Sequence, residues 1–341
     1  MTTAKQKRGI RALIVLVLMA ALCLPLLATG CGKANESKKS TAGGKKLKVV
    51  ATVFPEYDWA KQILGKRAAD TELTLLLKNG TDLHSYQPSA KDIAKIANCD
   101  VFIHVGGESD GWVKDALKEA KNKNMQVVNL MEVMGKNKKQ EEVKEGMQAE
   151  KEDEKEGEEG EEEVEYDEHV WLSLKNARTL CAAIEKALAK ADSAHADTYA
   201  KNLKAYDAKL AGLDKDYAKT VASAKNKILV FGDRFPFRYM VDDYNLDYYA
   251  AFVGCSAESE ASFKTIAFLA KKVDALNLKY VMTIENNDHK IAKTIIKNTK
   301  KKNQKILTLD SMQSTTSKDI KGGATYLKVM RNNLKVLRKA L

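Results

Sequence analysis

Short apolar runs alternate with stretches of helical period along most of this chain. Eight of these runs are rich in β-branched residues and have the length of strands: Leu47–Val53, Leu73–Leu77, Val101–Val105, Gln126–Leu130, Lys227–Phe231, Tyr248–Phe252, Tyr280–Ile284 and Lys305–Leu309. Helical patterns separate most of them, as in Asp58–Leu64 and Phe263–Leu276. Strands that alternate with helices indicate parallel sheets covered on both faces. The pattern therefore predicts an α/β protein.

One long amphipathic pattern divides the predicted strands into two groups. Its apolar positions step by three and four residues, at Tyr199, Leu203, Tyr206, Leu210, Leu213 and Tyr217. This stripe predicts one helix from about Asp197 to Ala222, almost 40 Å long at ~1.5 Å per residue. We therefore expect two Rossmann-like lobes with mainly parallel sheets, residues 47–192 and 225–341, joined by a backbone helix within residues 193–224.

The N-terminus has the layout of a secretory signal. Basic residues precede an apolar run from Ala12 to Leu27, and small residues then lead into Cys31. This order resembles the lipobox of bacterial lipoproteins, which predicts removal of residues 1–30 and acylation of Cys31. Residues 31–46 are small or charged, so we expect a flexible tether from a lipid anchor on the outer face of the cytoplasmic membrane. An uncleaved membrane anchor is the alternative.

Composition narrows the classes of partner. The chain has 57 Lys and Arg against 46 Asp and Glu, a formal net charge of +11. The surplus is spread over helical faces without an arginine cluster or interleaved aromatic residues, so no nucleic-acid partner is expected. Residues 136–168 are nearly all Glu, Lys, Gly and Asp, which predicts a mobile low-complexity loop; a weak cation collector is the alternative.

The cysteines of the body predict no disulfide framework. Cys99, Cys181 and Cys255 are widely separated, and their number is odd. An odd number of cysteines without close pairs in the sequence argues against a fold held together by disulfide bonds. We interpret all three as small buried hydrophobic residues.

Two of the five histidines lie at the ends of predicted elements, where a lone histidine is usually an ordinary polar surface residue. His84 follows an apolar strand in the turn-rich segment Gly80–Pro88, and His169 precedes an apolar helical segment. Loops at the carboxyl ends of parallel strands are the usual place for a ligand site in such folds. His104 lies inside an apolar run and is expected to be a satisfied core or strand-end residue.

Several segments resemble signatures of the metal-binding receptors of zinc and manganese ABC importers. These segments are Val53–Asp58, Gly80–Pro88, Glu168–Leu172, the long helix from Tyr199 to Leu210, and Leu309–Met312 with Gly322–Met330. The resemblance implies an extracytoplasmic receptor without catalysis that carries one divalent transition-metal ion, Zn²⁺ first and Mn²⁺ next. Its implied partners are an ABC permease with its ATPase, and the implied state is a monomer.

The resemblance also implies a ligand set. Members of the family bind one ion with four side chains, two from each lobe. By position, His84 and His169 correspond to the first pair and Asp310 to the last ligand. Neutral imidazoles and carboxylates suit zinc, whereas hard oxygen ligands shift the preference toward manganese, so the ligand types alone do not choose the ion.

The third ligand is where this sequence departs from the family. Aligned from the strand that ends in Phe231, Asp233 takes the ligand position. Aligned backward from Tyr244, Arg234 falls there instead, which implies one extra residue in the segment. An arginine offers no lone pair to a cation, so we favour Asp233; its alternative role is to cap the next helix or to pair with Arg234 or Arg238. Glu258 and Glu260 are reserve candidates.

Three other functions compete with a metal receptor. A zinc-dependent hydrolase would leave a coordination position open for water and place a general base beside it, but the chain has no His-Glu-x-x-His helix, nucleophile elbow or phosphate loop. A metal-dependent surface adhesin is a role sometimes attached to the family. A receptor for an organic solute would present more aromatic and amide groups around a larger pocket.

Overall fold

The computed structural model describes residues 46–148, 165–256, 260–285 and 288–341. The expected signal, the tether with Cys31, the densest part of the acidic insert and Glu258 lie outside the described residues. Within the described part, no helix is long and apolar enough to cross a bilayer.

Eight strands form two four-stranded parallel sheets, which confirms the predicted α/β class. The strands are β1 Lys48–Ala51, β2 Glu72–Leu75, β3 Val101–His104, β4 Gln126–Asn129, β5 Ile228–Phe235, β6 Asp247–Val253, β7 Tyr280–Ile284 and β8 Lys305–Leu309. Their orders are β2-β1-β3-β4 and β6-β5-β7-β8, the same topology twice. In such sheets, loops at the carboxyl ends of the strands meet at one edge, so both lobes present loops where a ligand can bind.

Helices cover the sheets as the periodicity predicts. They are α1 Phe54–Leu64, α2 Ala90–Ala97, α3 Val113–Lys118, α4 Leu130–Met134, α5 Leu174–Ala191, α6 Ala196–Ala222, α7 Arg238–Tyr244, α8 Phe263–Ala275, α9 Lys290–Asn298, α10 Ser317–Lys321 and α11 Tyr326–Ala340. Side-chain caps begin several of them; the Ser89 hydroxyl, for example, accepts from the backbone N–H of Asp92, and the Ser89 backbone N–H donates to the Asp92 carboxylate in the reciprocal bond of a capping box.

The long helix α6 matches the predicted apolar stripe. Its 27 residues make it about 40 Å long. Tyr199, Tyr206, Leu210 and Tyr217 of the stripe are buried. The Tyr217 hydroxyl donates to the carbonyl of Met330 in α11 at 2.6 Å. Because this buried face packs on neighbouring helices, the helix is a fixed part of the body.

Two buried aromatic residues join the lobes beside the loop of His169. The Trp171 Nε1–H donates to the carbonyl of Ser311, beyond β8, at 2.8 Å. The Tyr326 hydroxyl donates to the carbonyl of Trp171 at 2.7 Å, and its ring meets Trp59 edge-on at 5.0 Å. These bonds hold the loop of His169 against the carboxyl edge of the second sheet.

The described ends of the acidic insert differ from the expected mobile loop. The backbone N–H of Gln148 donates to the carbonyl of Ala251 in β6 at 2.9 Å, and Lys144 forms an ion pair with Asp247. Met147 packs against the hydrophobic core. Charge-rich composition predicts solvation, but the few apolar and pairing residues of this segment suffice to fix it on the second lobe.

Candidate metal centre

Two imidazole rings meet at the junction of the lobes. The Nε2 atoms of His84 and His169 lie 3.2 Å apart, although 85 residues separate the two histidines. The ring of His169 is fully buried, and that of His84 is nearly so. Two nitrogens bound to one tetrahedral zinc at ~2.0–2.1 Å would lie roughly 3.3 Å apart. The observed spacing therefore suits a shared dication.

A short capped turn positions His84. Residues Leu83–Ser85 form one 3₁₀ turn after β2, and the Asp82 carboxylate accepts from the backbone N–H of His84 at 3.1 Å. Leu83 is buried and anchors the turn. The Nδ1 atom of His84 lies 2.7 Å from the hydroxyl of Ser109, so its Nε2 points toward His169.

Asp167 positions His169. Its Oδ1 atom accepts from the backbone N–H of His169 at 2.8 Å and lies 2.9 Å from Nδ1. A carboxylate behind Nδ1 keeps the proton there and leaves the lone pair on Nε2, the arrangement usual for metal-binding histidines. The Tyr239 hydroxyl donates to the Asp167 carbonyl at 2.8 Å and secures the segment from the second lobe.

The two rings titrate differently. Burial, together with the charge of His169, lowers the pKa of His84 to about 3, so this ring is neutral at physiological pH. Burial also lowers the pKa of His169, but the Asp167 carboxylate more than offsets that effect and the pKa is raised above its ordinary value. Protonation of His169 therefore competes with metal binding, because an imidazole that binds a metal ion must be neutral.

The β5 strand carries one extra residue beside this pair. Phe231 pairs with Ala250 of β6, but Arg234 pairs with Phe252, so three steps along β5 match two along β6. This bulge corresponds to the extra residue implied by the backward alignment. Bulges re-aim side chains at the edges of sites. The bulge in β5 turns the Arg234 side chain, rather than that of Asp233, toward the opposite lobe.

The contacts of Asp233 and Arg234 show that Arg234, rather than Asp233, reaches the opposite lobe. The Asp233 carboxylate accepts from the backbone N–H of Arg234 and from that of Ile284, each at 3.0 Å. The Arg234 guanidinium forms an ion pair with Asp82, on the turn of His84, and donates to the carbonyl of Ser256 at 3.3 Å. Arg234 thus connects the lobes next to the histidines.

Asp310 lies at the end of β8, as predicted. Its Oδ1 atom accepts from the backbone N–H of Met312 at 2.8 Å. Burial and the neighbouring Glu285 raise the pKa of Asp310 to about 7. In the described residues, neither Asp233 nor Asp310 joins the cluster of ligand atoms that surrounds the two histidines.

The third member of that cluster is Cys255, which sequence reasoning took for a buried hydrophobic residue. Ligand atoms of His84, His169 and Cys255 all lie within 4.8 Å of one another. Cys255 follows β6, so a ligand search at the carboxyl ends of the predicted strands would have included it. Of the reserve candidates, Glu260 has a side chain 77% exposed and pairs with Lys290.

Comparison with known proteins identifies a family for this chain. The model of the ZnuA family, described as zinc-uptake complex component A, periplasmic, matches residues 49–340. The zinc-binding lipoprotein AdcA of Streptococcus pneumoniae serotype 4 is 33% identical over 326 residues, which cover 95% of this chain and 60% of AdcA. The high-affinity zinc uptake system protein ZnuA of Bacillus subtilis is 30% identical over 316 residues, 93% of this chain and 94% of that protein.

A solved structure supports the same relationship. The Zn(II)-bound ZnuA-like domain of Streptococcus pneumoniae AdcA superposes with a TM-score of 0.66 at 30% identity and covers 87% of this chain and 99% of that domain. The chain spans about three fifths of the length of the AdcA relatives. The family resemblance drawn from the sequence is confirmed. This chain belongs to the family of periplasmic zinc-uptake component A proteins.

Proposed function

We propose that this chain is an extracytoplasmic receptor that captures one divalent transition-metal ion and delivers it to the permease of an ABC importer. Zinc is the first candidate and manganese the second. The single observation that carries the proposal is the pair of Nε2 atoms, 3.2 Å apart, supplied by loops distant in sequence. Membership of a family described by zinc uptake supports the same reading.

His84 and His169 are the proposed first two ligands. Both present Nε2 to the same point, and each has a partner that orients its Nδ1 atom. Asp233 and Asp310 stay predictions as ligands; in the described residues both carboxylates accept backbone hydrogen bonds and lie outside the group that the two histidines form.

Capture couples the ion to the arrangement of the lobes. An ion that binds groups from both lobes stabilises the closed form by its affinity difference between closed and open forms. The ion pair between Arg234 and Asp82 and the bond from Trp171 to Ser311 already hold the lobes together. Release of the ion then requires the permease to break such contacts between the lobes. No bond of a substrate is broken, so the function is binding without catalysis.

The lipid anchor is part of the proposal. The lipobox-like segment before Cys31 predicts acylation, and the pneumococcal relative is named a lipoprotein. Incorporation of labelled palmitate into the expressed chain should be lost in Cys31→Ser and retained in Cys99→Ser. Equal labelling of both variants would refute an anchor at Cys31.

Calorimetry on the metal-stripped full-length chain tests the central claim. We expect about one Zn²⁺ per chain with an affinity in the nanomolar range. His84→Ala and His169→Ala should each weaken binding by about 100-fold or more, since a ligand is lost. His195→Ala is the matched control, because His195 also pairs with an aspartate, Asp192 at 2.9 Å, far along the chain from the site.

Two results would contradict this function. Binding of several ions with only micromolar affinity, unchanged in both histidine variants, would assign metal binding to the acidic insert. Metal-dependent hydrolysis of an ester, peptide or phosphate that disappears in His84→Ala would make the protein an enzyme.

A further inference from the structure

We propose that the Cys255 sulfur is the third protein ligand of the captured ion, in the place predicted for the Asp233 carboxylate. This inference rests on the proposed function and names a ligand outside the histidine and carboxylate set expected from the sequence. Its consequence is a preference for zinc over manganese.

The geometry places Cys255 at the histidine pair. Its sulfur and the ligand nitrogens of His84 and His169 all lie within 4.8 Å of one another. On a tetrahedral zinc, with Zn–S near 2.3 Å, a sulfur and a nitrogen would be roughly 3.6 Å apart. A side-chain adjustment of about 1 Å would therefore close the site, within the range over which loops tighten on a ligand.

The chain around Cys255 is built to approach His169. Gly254 has no side chain, and a Cβ atom there would lie 3.1 Å from Asp167 Oδ2 and 3.2 Å from His169 Cε1. It would also lie 2.9 Å from the carbonyl of Phe235. Any larger residue would force the loop away from the Asp167 and His169 pair, so a glycine is needed for Cys255 to come this close.

Backbone contacts hold the loop in that position. The backbone N–H of Cys255 donates to the Glu141 carboxylate at 3.1 Å, and the carbonyl of Ser256 accepts from Arg234 at 3.3 Å. The backbone of Cys255 and that of the next residue are therefore fixed, independently of any metal. Glu141 belongs to the described end of the insert, which explains why that segment packs on the second lobe.

A thiolate would bring negative charge directly onto the ion, but the ion has to displace the thiol proton, because burial and the carboxylates of Asp167, Glu141 and Glu168 raise the pKa of Cys255. Arg234 lies where the backward alignment placed a ligand, and its guanidinium has no lone pair to give. Two neutral imidazoles carry no negative charge toward a dication. A cysteine that binds the ion releases its thiol proton to water and supplies one negative charge, since the thiolate is the ligand form.

The ligand class determines which ions are held best. Thiolate sulfur is soft and is a common zinc ligand, whereas manganese prefers carboxylate, carbonyl and water oxygens. A site of two imidazoles and one thiolate should therefore discriminate strongly against Mn²⁺. Cys99 and Cys181 differ from Cys255 because both are buried in the hydrophobic core among apolar side chains.

Cobalt is the probe for the test, because Co²⁺ bound to a thiolate shows a near-ultraviolet sulfur-to-metal charge-transfer band. The full-length chain loaded with one Co²⁺ should show this band, and Zn²⁺ should abolish it by displacement. Cys255→Ser should bind Co²⁺ without the band and should lose zinc affinity by more than tenfold, with a smaller loss for Mn²⁺. Cys99→Ala and Cys31→Ser are matched controls and should keep the band.

The outcomes separate the two proposals. Stoichiometric Co²⁺ binding by the unmodified chain without a charge-transfer band would overturn the thiolate ligand and leave the receptor function intact. Retention of the band in Cys255→Ser would also overturn it. Absence of stoichiometric binding in the unmodified chain would overturn both proposals. Should Cys255→Ser fail to fold, Cys255→Ala takes its place with the same expected loss of the band, and Cys181→Ala joins the controls that should keep it.

Discussion

The Asp167 carboxylate orients the His169 ring, and its removal tests that role. Its Oδ1 atom accepts the backbone N–H of His169 at 2.8 Å and faces Nδ1 at 2.9 Å. Asp167→Asn keeps an oxygen for both bonds and removes only the negative charge. Asp167→Ala removes the charge and both bonds. The pair of variants therefore separates electrostatic stabilisation of the ion from orientation of the ring.

The magnitude follows from the distance between the carboxylate and the ion. The hydrogen bond, the width of the ring and a zinc–nitrogen bond together place the carboxylate roughly 7 Å from bound zinc. A unit charge and a dication at that distance attract by about 5 kcal/mol at an effective dielectric constant near 20. The neutral amide of Asp167→Asn also lowers the pKa of His169. The ring is then protonated less often, so the ion less often has to displace a proton, and this offsets part of the loss.

We therefore expect Asp167→Asn to weaken zinc binding by about tenfold to hundredfold, or roughly 1.4–2.7 kcal/mol. Asp167→Ala should lose more, because the ring can then rotate. The deficit of Asp167→Asn should shrink on acidification, since the raised pKa of His169 makes the unmodified site compete with a proton. Competition for Zn²⁺ with a chromophoric chelator, measured across neutral and mildly acidic pH, gives the affinities.

Asp207→Asn is the matched control, because Asp207 pairs with Arg178 on the surface and contacts no part of the site. It removes the same charge and should leave zinc affinity unchanged. Equal affinities of Asp167→Asn, Asp207→Asn and the unmodified chain would refute the argument that Asp167 supports a metal ligand at His169.

Three further predictions concern the stability of the metal-free protein and the shape of the site. Burial and then Asp110 raise the pKa of Glu56 from 4.5 to about 8, so the folded state binds this proton more tightly than the unfolded state, and stability should fall as pH rises from about 4.5 to 8. Glu56→Gln should reduce this pH dependence of thermal unfolding. An unchanged pH dependence would contradict the assignment. Tyr326→Phe should cost about 1–3 kcal/mol in denaturant unfolding, because it leaves the buried carbonyl of Trp171 without its donor. Gly107→Ala should lower both stability and zinc affinity, since Gly107 has a φ of +86° and a Cβ there would lie 2.4 Å from Glu168 Oε1.

Matched controls exist for two of these changes. Tyr206→Phe removes a buried hydroxyl that has no hydrogen-bond partner, so it should be neutral or slightly stabilising, unlike Tyr326→Phe. Gly212→Ala adds a Cβ atom in open space within α6 and should stabilise the helix by up to about 1 kcal/mol. Losses in the controls as large as in the test variants would show that the named contacts are not the cause.

Much of the architecture could be predicted from the sequence because it depends on local periodicity. All eight predicted strands exist, with ends that differ by a few residues. The stripe from Tyr199 to Tyr217 marked the long helix, and its members pack on neighbouring helices. Runs of β-branched residues indicate buried strands, and apolar residues spaced three and four apart indicate the buried face of a helix, since each element must bury its own apolar face.

The identity of the second-lobe groups could not be predicted in the same way. Whether Asp233 or Arg234 faces the cleft depends on one bulge residue in the pairing of β5 with β6. A shift of one residue moves a side chain to the other face of a strand, and pairing register involves residues distant in sequence. The preference for Asp233 rested on ligand chemistry alone, which says nothing about where a side chain points.

The sequence by itself determined the two parallel sheets and the long helix, because each leaves a local pattern of apolar spacing, and the family resemblance of the segments around them singled out the two histidines. Only the tertiary structure decided what meets those histidines from the second lobe. The bulge in β5 turns Arg234 toward Asp82, and the missing side chain of Gly254 lets Cys255 approach His169. Both effects arise from contacts between segments far apart in the chain, and such contacts have no local signature.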